Sequence, residues 1–157
     1  MNGRVRDPES VTGDARGQPD GSGSSPEIVT SERVTTVLPA VAPSVGAARR
    51  FVAASMRRHH ALPETIDVAV LLTSELVTNA LIHAGSRVEL SVLVGDAGFR
   101  IEVGDQSSVD ARPREVAFDD LSGRGLHIVD AMSSRWGSGP SGNGKRVWFE
   151  LDALHLD

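Results

Sequence analysis

With 157 residues, 39% of them hydrophobic, the chain is long enough for one globular domain with a genuine core. A formal net charge of −5, with no basic cluster beyond Arg57-Arg58-His59-His60, argues against a non-specific grip on nucleic acid through phosphate neutralisation. The absence of cysteine excludes a disulfide framework, a thiolate metal site and a thiol nucleophile. No signal peptide and no apolar run of membrane-spanning length is expected, so the expected location is cytoplasmic and off the membrane.

Residues 1–27 are rich in Gly, Ser, Pro, Asp and Arg, with little apolar surface to offset ordering entropy, and read as a disordered tail. Residues 28–157 read as the folded domain. A strand is expected within 28–38, carried by Val34, Thr35, Thr36, Val37 and Leu38 and ended by Pro39 and Pro43. Ser44 is the expected N-cap of a helix over 45–60, with Val45, Ala48, Phe51, Val52 and Met56 at helical spacing. Pro63 opens a second helix that should reach His83 and stop at Gly85.

Residues 88–94 and 99–103, joined by a turn at 95–98, predict an antiparallel hairpin. A polar, Pro-interrupted segment over 109–121 leads to Ser122-Gly123-Arg124-Gly125, which opens a third helix over 126–132. A short strand at Arg135-Trp136-Gly137, a loop over 138–144 and a closing strand over 146–151 complete the order. Strands with helices to one side predict an α/β two-layer sandwich.

The second helix is the informative one. Glu75, Asn79 and His83 stand at i, i+4 and i+8, which stacks them into one stripe drifting by about 40° per step. Val68, Leu71, Leu72 and Ile82 fall on the same arc, which puts a carboxylate and an amide into an apolar face, at a cost of a few kcal/mol or more unless they are satisfied. Two readings follow: Glu75 and Asn79 bond each other or nearby backbone, or the stripe faces a polar cavity holding a ligand, a metal ion and water. His83, near the helix end, reads as a capping or packing residue. His59 and His60 lack a matching ligand set, and Trp136 and Trp148 read as core or interface fillers.

Three further pieces follow in order: Asp105 at a strand end, Gly123-x-Gly125 at a helix start, where backbone N–H groups suit an anion, and Gly144 entering the last strand. With the stripe, the strings Ser74-Glu-Leu-Val-Thr-Asn-Ala-Leu-Ile-His-Ala84, Gly123-Arg-Gly-Leu-His-Ile-Val129 and Gly144-Lys-Arg-Val-Trp-Phe-Glu-Leu151 resemble the GHKL ATPase superfamily over about 37–151, and within it bacterial anti-sigma-factor serine/threonine kinases and related actinomycete ATP-binding regulators. The resemblance implies a GHKL (Bergerat-type) mixed, mostly antiparallel sheet with helices on one face. It also implies ATP and Mg²⁺ as cofactors. Asn79 would hold the Mg²⁺, Glu75 would be the general base, and Asp105, with Ser107 beyond it, would meet the nucleotide at adenine. Gly123, Arg124, Gly125 and Leu126 would cradle phosphate, and 109–121 would form the lid, with Arg112 and Arg114 as solvated loop charges.

Two positions depart from the family pattern. Asp105-Gln106-Ser107-Ser108 stands where Asp-x-Gly-x-Gly is common, and Arg146 where a Thr often faces adenine. The function implied is a protein serine/threonine kinase that phosphorylates a STAS-type anti-sigma-factor antagonist, binds a sigma factor and regulates transcription by partner switching, with pairing into homodimers through the sheet or first helix. The departures motivate an alternative, a non-catalytic GHKL-fold module that sequesters a partner with weak or no nucleotide binding. A free-standing ATP hydrolase is a third class, disfavoured for want of a transducer domain.

Overall fold

The computed structural model describes residues 11–14, 30–105, 123–142 and 144–152. In chain order the elements are strands β1 (Val11–Asp14) and β2 (Thr30–Leu38), helices α1 (Ser44–Arg58) and α2 (Pro63–Ala84), strands β3 (Val88–Gly95) and β4 (Gly98–Asp105), helix α3 (Gly123–Met132), and strands β5 (Arg135–Ser141) and β6 (Gly144–Asp152). The six strands form one sheet in the order β1-β5-β6-β4-β3-β2, with every pairing antiparallel. The helices pack on one face, as a two-layer α/β sandwich requires.

Strand alternation sorts the side chains. Val88, Leu90 and Val92 of β3, Phe99, Ile101 and Val103 of β4, and Phe149 and Leu151 of β6 turn to the helices. There they meet Ala48, Val52 and Met56 of α1, Leu72, Leu76 and Val77 of α2, and Val129 of α3. Trp136 of β5 joins this core and donates its indole N–H to Asp130 Oδ1 at 2.8 Å, fastening α3 to the sheet.

Four sequence expectations change. Residues 11–14, read as part of a disordered tail, pair with Arg135–Ser138 on the sheet edge; main-chain hydrogen bonding of this kind needs no apolar side chain. Ser44 lies inside α1 and does not cap it: its hydroxyl donates to the Pro39 carbonyl at 2.6 Å. Strand β5 runs on to Ser141 through the expected loop, paired with β6, and Pro140 lies beyond Ser138, where the pairing with β1 ends among the described residues. Helix α2 also overturns the expectation about apolar length, since its 22 residues at mean hydropathy 1.5 could cross a membrane by length and composition. Here Ile66, Ala69, Leu72, Leu76 and Val77 are buried in the core instead. Pro63 opens α2 as expected, and Gly85 ends it at φ 58°, a left-handed conformation suited to glycine.

The sheet face away from the helices carries a charged network centred on Glu102, whose side chain is 5% exposed. Its Oε2 accepts from Arg100 Nε at 2.8 Å, while Arg33 Nη1 and Arg146 Nη1 lie 3.1 and 3.5 Å from Oε1. The Arg100 guanidinium also sits 3.8 Å from the centroid of the Trp148 ring. Trp148 thus belongs to this outer face, and Trp136 to the core.

Burial pushes the Glu102 carboxyl up, but the Arg100 hydrogen bond and the charges of Arg100, Arg146 and Arg33 outweigh it and hold the carboxyl below its ordinary range. A folded-state value lowered in this way contributes stability above the unfolded value of about 4.3, and loses it as pH falls through the folded value. Glu102→Gln is therefore expected to flatten the acid limb of a stability-against-pH curve measured by urea unfolding. Glu102→Ala, which leaves the buried Arg100 without its carboxylate, is expected to cost about 3 kcal/mol at neutral pH.

Candidate functional site

Helix α2 turns Leu72, Leu76 and Ala80 into the core, and Glu75 and Asn79 lie on the flank of that face, each half-buried. Leu71 and Ile82, expected to share an apolar arc with them, are 40% and 64% exposed. The buried stripe of α2 is narrower than the sequence suggests, because the helix rests on the sheet and on α1 and leaves this flank uncovered by either. The drift of about 40° per step carries the stripe from Glu75 through Asn79 to His83, progressively toward the sheet.

Among the described residues, neither Glu75 nor Asn79 has a hydrogen-bonding or ion-pairing partner. The structural-pair reading of the stripe therefore fails. Asn79 instead lines a small cleft of about 70 Å³ between α2, the ends of β4 and β6, and α3. Leu76, Ala80 and His83 continue its α2 wall, Val103 and Asp105 come from β4, Lys145 and Val147 from β6, and Leu126 from α3. Glu75 is outside this lining, one helical turn before Asn79.

Asp105 is buried at 7% exposure, and its Oδ1 accepts from the Lys145 backbone N–H at 3.3 Å. Gly144 makes that approach possible. A Cβ there would run into the Asp105 carbonyl oxygen and come within 2.6 Å of Asp105 Oδ1. Gly123, Arg124 and Gly125 form the first turn of α3, so the glycine pair does open a helix at the cleft, and Leu126 follows on its wall. Ser107 and the 109–121 segment lie outside the described residues.

The structure adds two residues that sequence reasoning misplaced. His83, read as a cap, lines the cleft, and its i+8 relation to Glu75 was the available signal. Arg146, read as the position facing adenine, points to the opposite face and Glu102; strand alternation gives the cleft position to Lys145. A larger cavity of about 330 Å³ lies at the other end of the sheet, bordered by His59, His60, Thr65 and Asp96. It contains none of the stripe residues or Asp105, so size alone does not mark the site. The smaller cleft is the one lined by the Asn79 amide and the Asp105 carboxylate.

A sequence profile for the histidine kinase-like ATPase domain matches residues 38–151, from the end of β2 through β6. The chain belongs to that family. No curated protein shows a significant match to it. It is thus a GHKL-superfamily ATP-binding domain, and domains of this superfamily bind ATP with Mg²⁺.

The residues present fit such a ligand. The Asn79 amide, without a partner among the described residues, presents an oxygen of the hard type that Mg²⁺ accepts together with phosphate and water. Asp105 offers an acceptor to a base amine, and the apolar walls suit a planar ring. Gly144→Ala is expected to displace the Asp105 carboxylate and weaken ATP binding about tenfold or more, the worth of one misaligned hydrogen bond, in a calorimetric titration.

Proposed function

We propose that this ATP-binding domain is a protein serine/threonine kinase that phosphorylates a STAS-type anti-sigma-factor antagonist, binds a sigma factor, and sets transcription by partner switching in the cytoplasm. The observation that carries the reading is that Asn79 and Asp105 line one cleft, with Glu75, without a partner among the described residues, one turn outside it. Asp105 would hold the adenine amine. Asn79 would hold Mg²⁺, which supplies charge neutralisation at the phosphates. The first turn of α3 would receive the phosphates on its N–H groups.

Glu75, half-buried on the flank of α2, would receive an approaching protein hydroxyl there. Its carboxylate would orient that hydroxyl and take its proton as the oxygen bonds to the γ-phosphorus and the bond to the ADP oxygen breaks. Phosphoryl transfer depends chiefly on positioning and charge, so this short list of groups is chemically sufficient. A homodimer would pair through the sheet or through α1.

A non-catalytic, partner-sequestering module is the second reading. Its motivation at Arg146 weakens, since that side chain is turned from the cleft; its motivation at 106–108 stands. Titration of the full chain with ATP, with and without Mg²⁺, separates the two: micromolar, Mg-dependent binding supports the kinase, and no binding at millimolar ATP leaves the module. Asn79→Ala is expected to abolish Mg-dependent binding. Glu75→Ala is expected to retain binding and lower phosphate transfer to an antagonist by about 10²–10⁴-fold, read by mass spectrometry of the antagonist.

A further inference from the structure

Helix α2 has a third side that neither the core nor the cleft uses. After the opening Pro63, its exposed residues are Glu64, Asp67, Leu71 and Ile82. At about 100° per residue, Asn79 and His83 turn about 40° and 80° from Glu75 toward the sheet. Glu64 and Ile82 turn about 20° the other way, Leu71 about 40° and Asp67 about 80°. These four residues form one strip, and half-buried Glu75 stands on the border between it and the cleft wall. At about 1.5 Å per residue, Leu71 lies about 6 Å along the axis on one side of Glu75, and Ile82 about 10 Å on the other. Asp67 and Glu64 continue the strip beyond Leu71, about 12 and 16 Å from Glu75. The helix holds no lysine or arginine to balance them. Leu71 and Ile82 stay 40% and 64% exposed, although the same helix has a core side that buries Leu72 and Leu76.

We propose that Leu71 and Ile82 set the specificity for the phosphate-accepting protein, which docks on this strip and presents a serine or threonine between apolar side chains, with basic side chains toward the Glu64 end. The inference rests on the kinase reading above. A carboxylate that takes the proton of an acceptor hydroxyl has to lie within hydrogen-bond reach of that oxygen. The nucleotide takes the cleft side of Glu75, so the acceptor arrives from the other side, over the strip. Residues flanking the acceptor hydroxyl then cover Leu71 and Ile82 and remove their apolar surface from water. Glu64 and Asp67 attract basic side chains at one end. Between exposed charges this acts mainly on the rate of encounter, and it weakens with salt. A second copy is the poorer occupant, since the strip is acidic and the chain carries a net charge of −5.

The test measures initial rates at saturating Mg-ATP against the concentration of a STAS-type antagonist that the full chain phosphorylates. It compares the unmodified protein with Leu71→Ser, Ile82→Ser, Leu71→Met, Ile82→Val and the double substitution Glu64→Gln, Asp67→Asn. Leu71→Ser and Ile82→Ser are each expected to raise KM for the antagonist about tenfold, the worth of one apolar contact, with kcat and the calorimetric Kd for Mg-ATP unchanged. Leu71→Met and Ile82→Val are expected to restore KM to within about threefold. The double substitution is expected to flatten the fall of kcat/KM with added salt. Unchanged KM in both Leu71→Ser and Ile82→Ser would overturn the proposal and leave the kinase intact; if light scattering then showed a dimer split into monomers, the strip would belong to a second copy. A parallel loss of Mg-ATP affinity would make the effect structural and overturn the specificity role. No transfer by the unmodified chain to any antagonist would overturn the kinase reading itself, and this inference with it.

Discussion

One helix has to serve both the core and the site. The inward side of α2 carries Leu72, Leu76, Val77 and Ala80 against the sheet, and the 3.6-residue period leaves Glu75 and Asn79 at the edge of that same contact. A deeper seat for α2 would bury the carboxylate and amide without partners. A shallower one would open the core at Leu76. The cleft exists because the helix rests between these limits, with Glu75 and Asn79 half-buried on its polar flank. Both helix ends are set locally, by Pro63 at the first turn and Gly85 at the last, so the stripe stays in register with the strand ends.

The strand ends supply the other half of the cleft. Asp105 is the last residue of β4, and the register with β6 brings Gly144 and Lys145 against it. The absence of a side chain at Gly144 is a steric condition for that contact. Below it, on the opposite face, Glu102 ties Arg33 of β2, Arg100 of β4 and Arg146 of β6 together, spanning the strands that carry the site. The two faces of the sheet therefore divide the work. One packs the helices and forms the cleft, and the other pairs buried charge across strands, beside Leu93 and Trp148.

Most of the architecture was legible in local pattern. Helical spacing with a proline start and a glycine stop marks α2, and alternation about a short turn marks the β3–β4 hairpin. The candidate site was legible where one element carries several of its residues, as with Glu75 and Asn79. It was less legible where residues meet across strands. Arg146 stood where a residue facing the base was expected, but it turns to Glu102 and its neighbour Lys145 lines the cleft, because a shift of one residue in a strand changes the face. The strand at 11–14 was not legible, since edge pairing through the main chain leaves little trace in side-chain type.

The amino-acid sequence by itself establishes the family-bearing stripe, the helix limits and the alternating strands, because these follow from periodicities within a single segment. Pairing register, the width of the buried face of α2, and the choice between Lys145 and Arg146 arise only when segments pack. They depend on which groups are excluded from water together, and no segment carries that information alone.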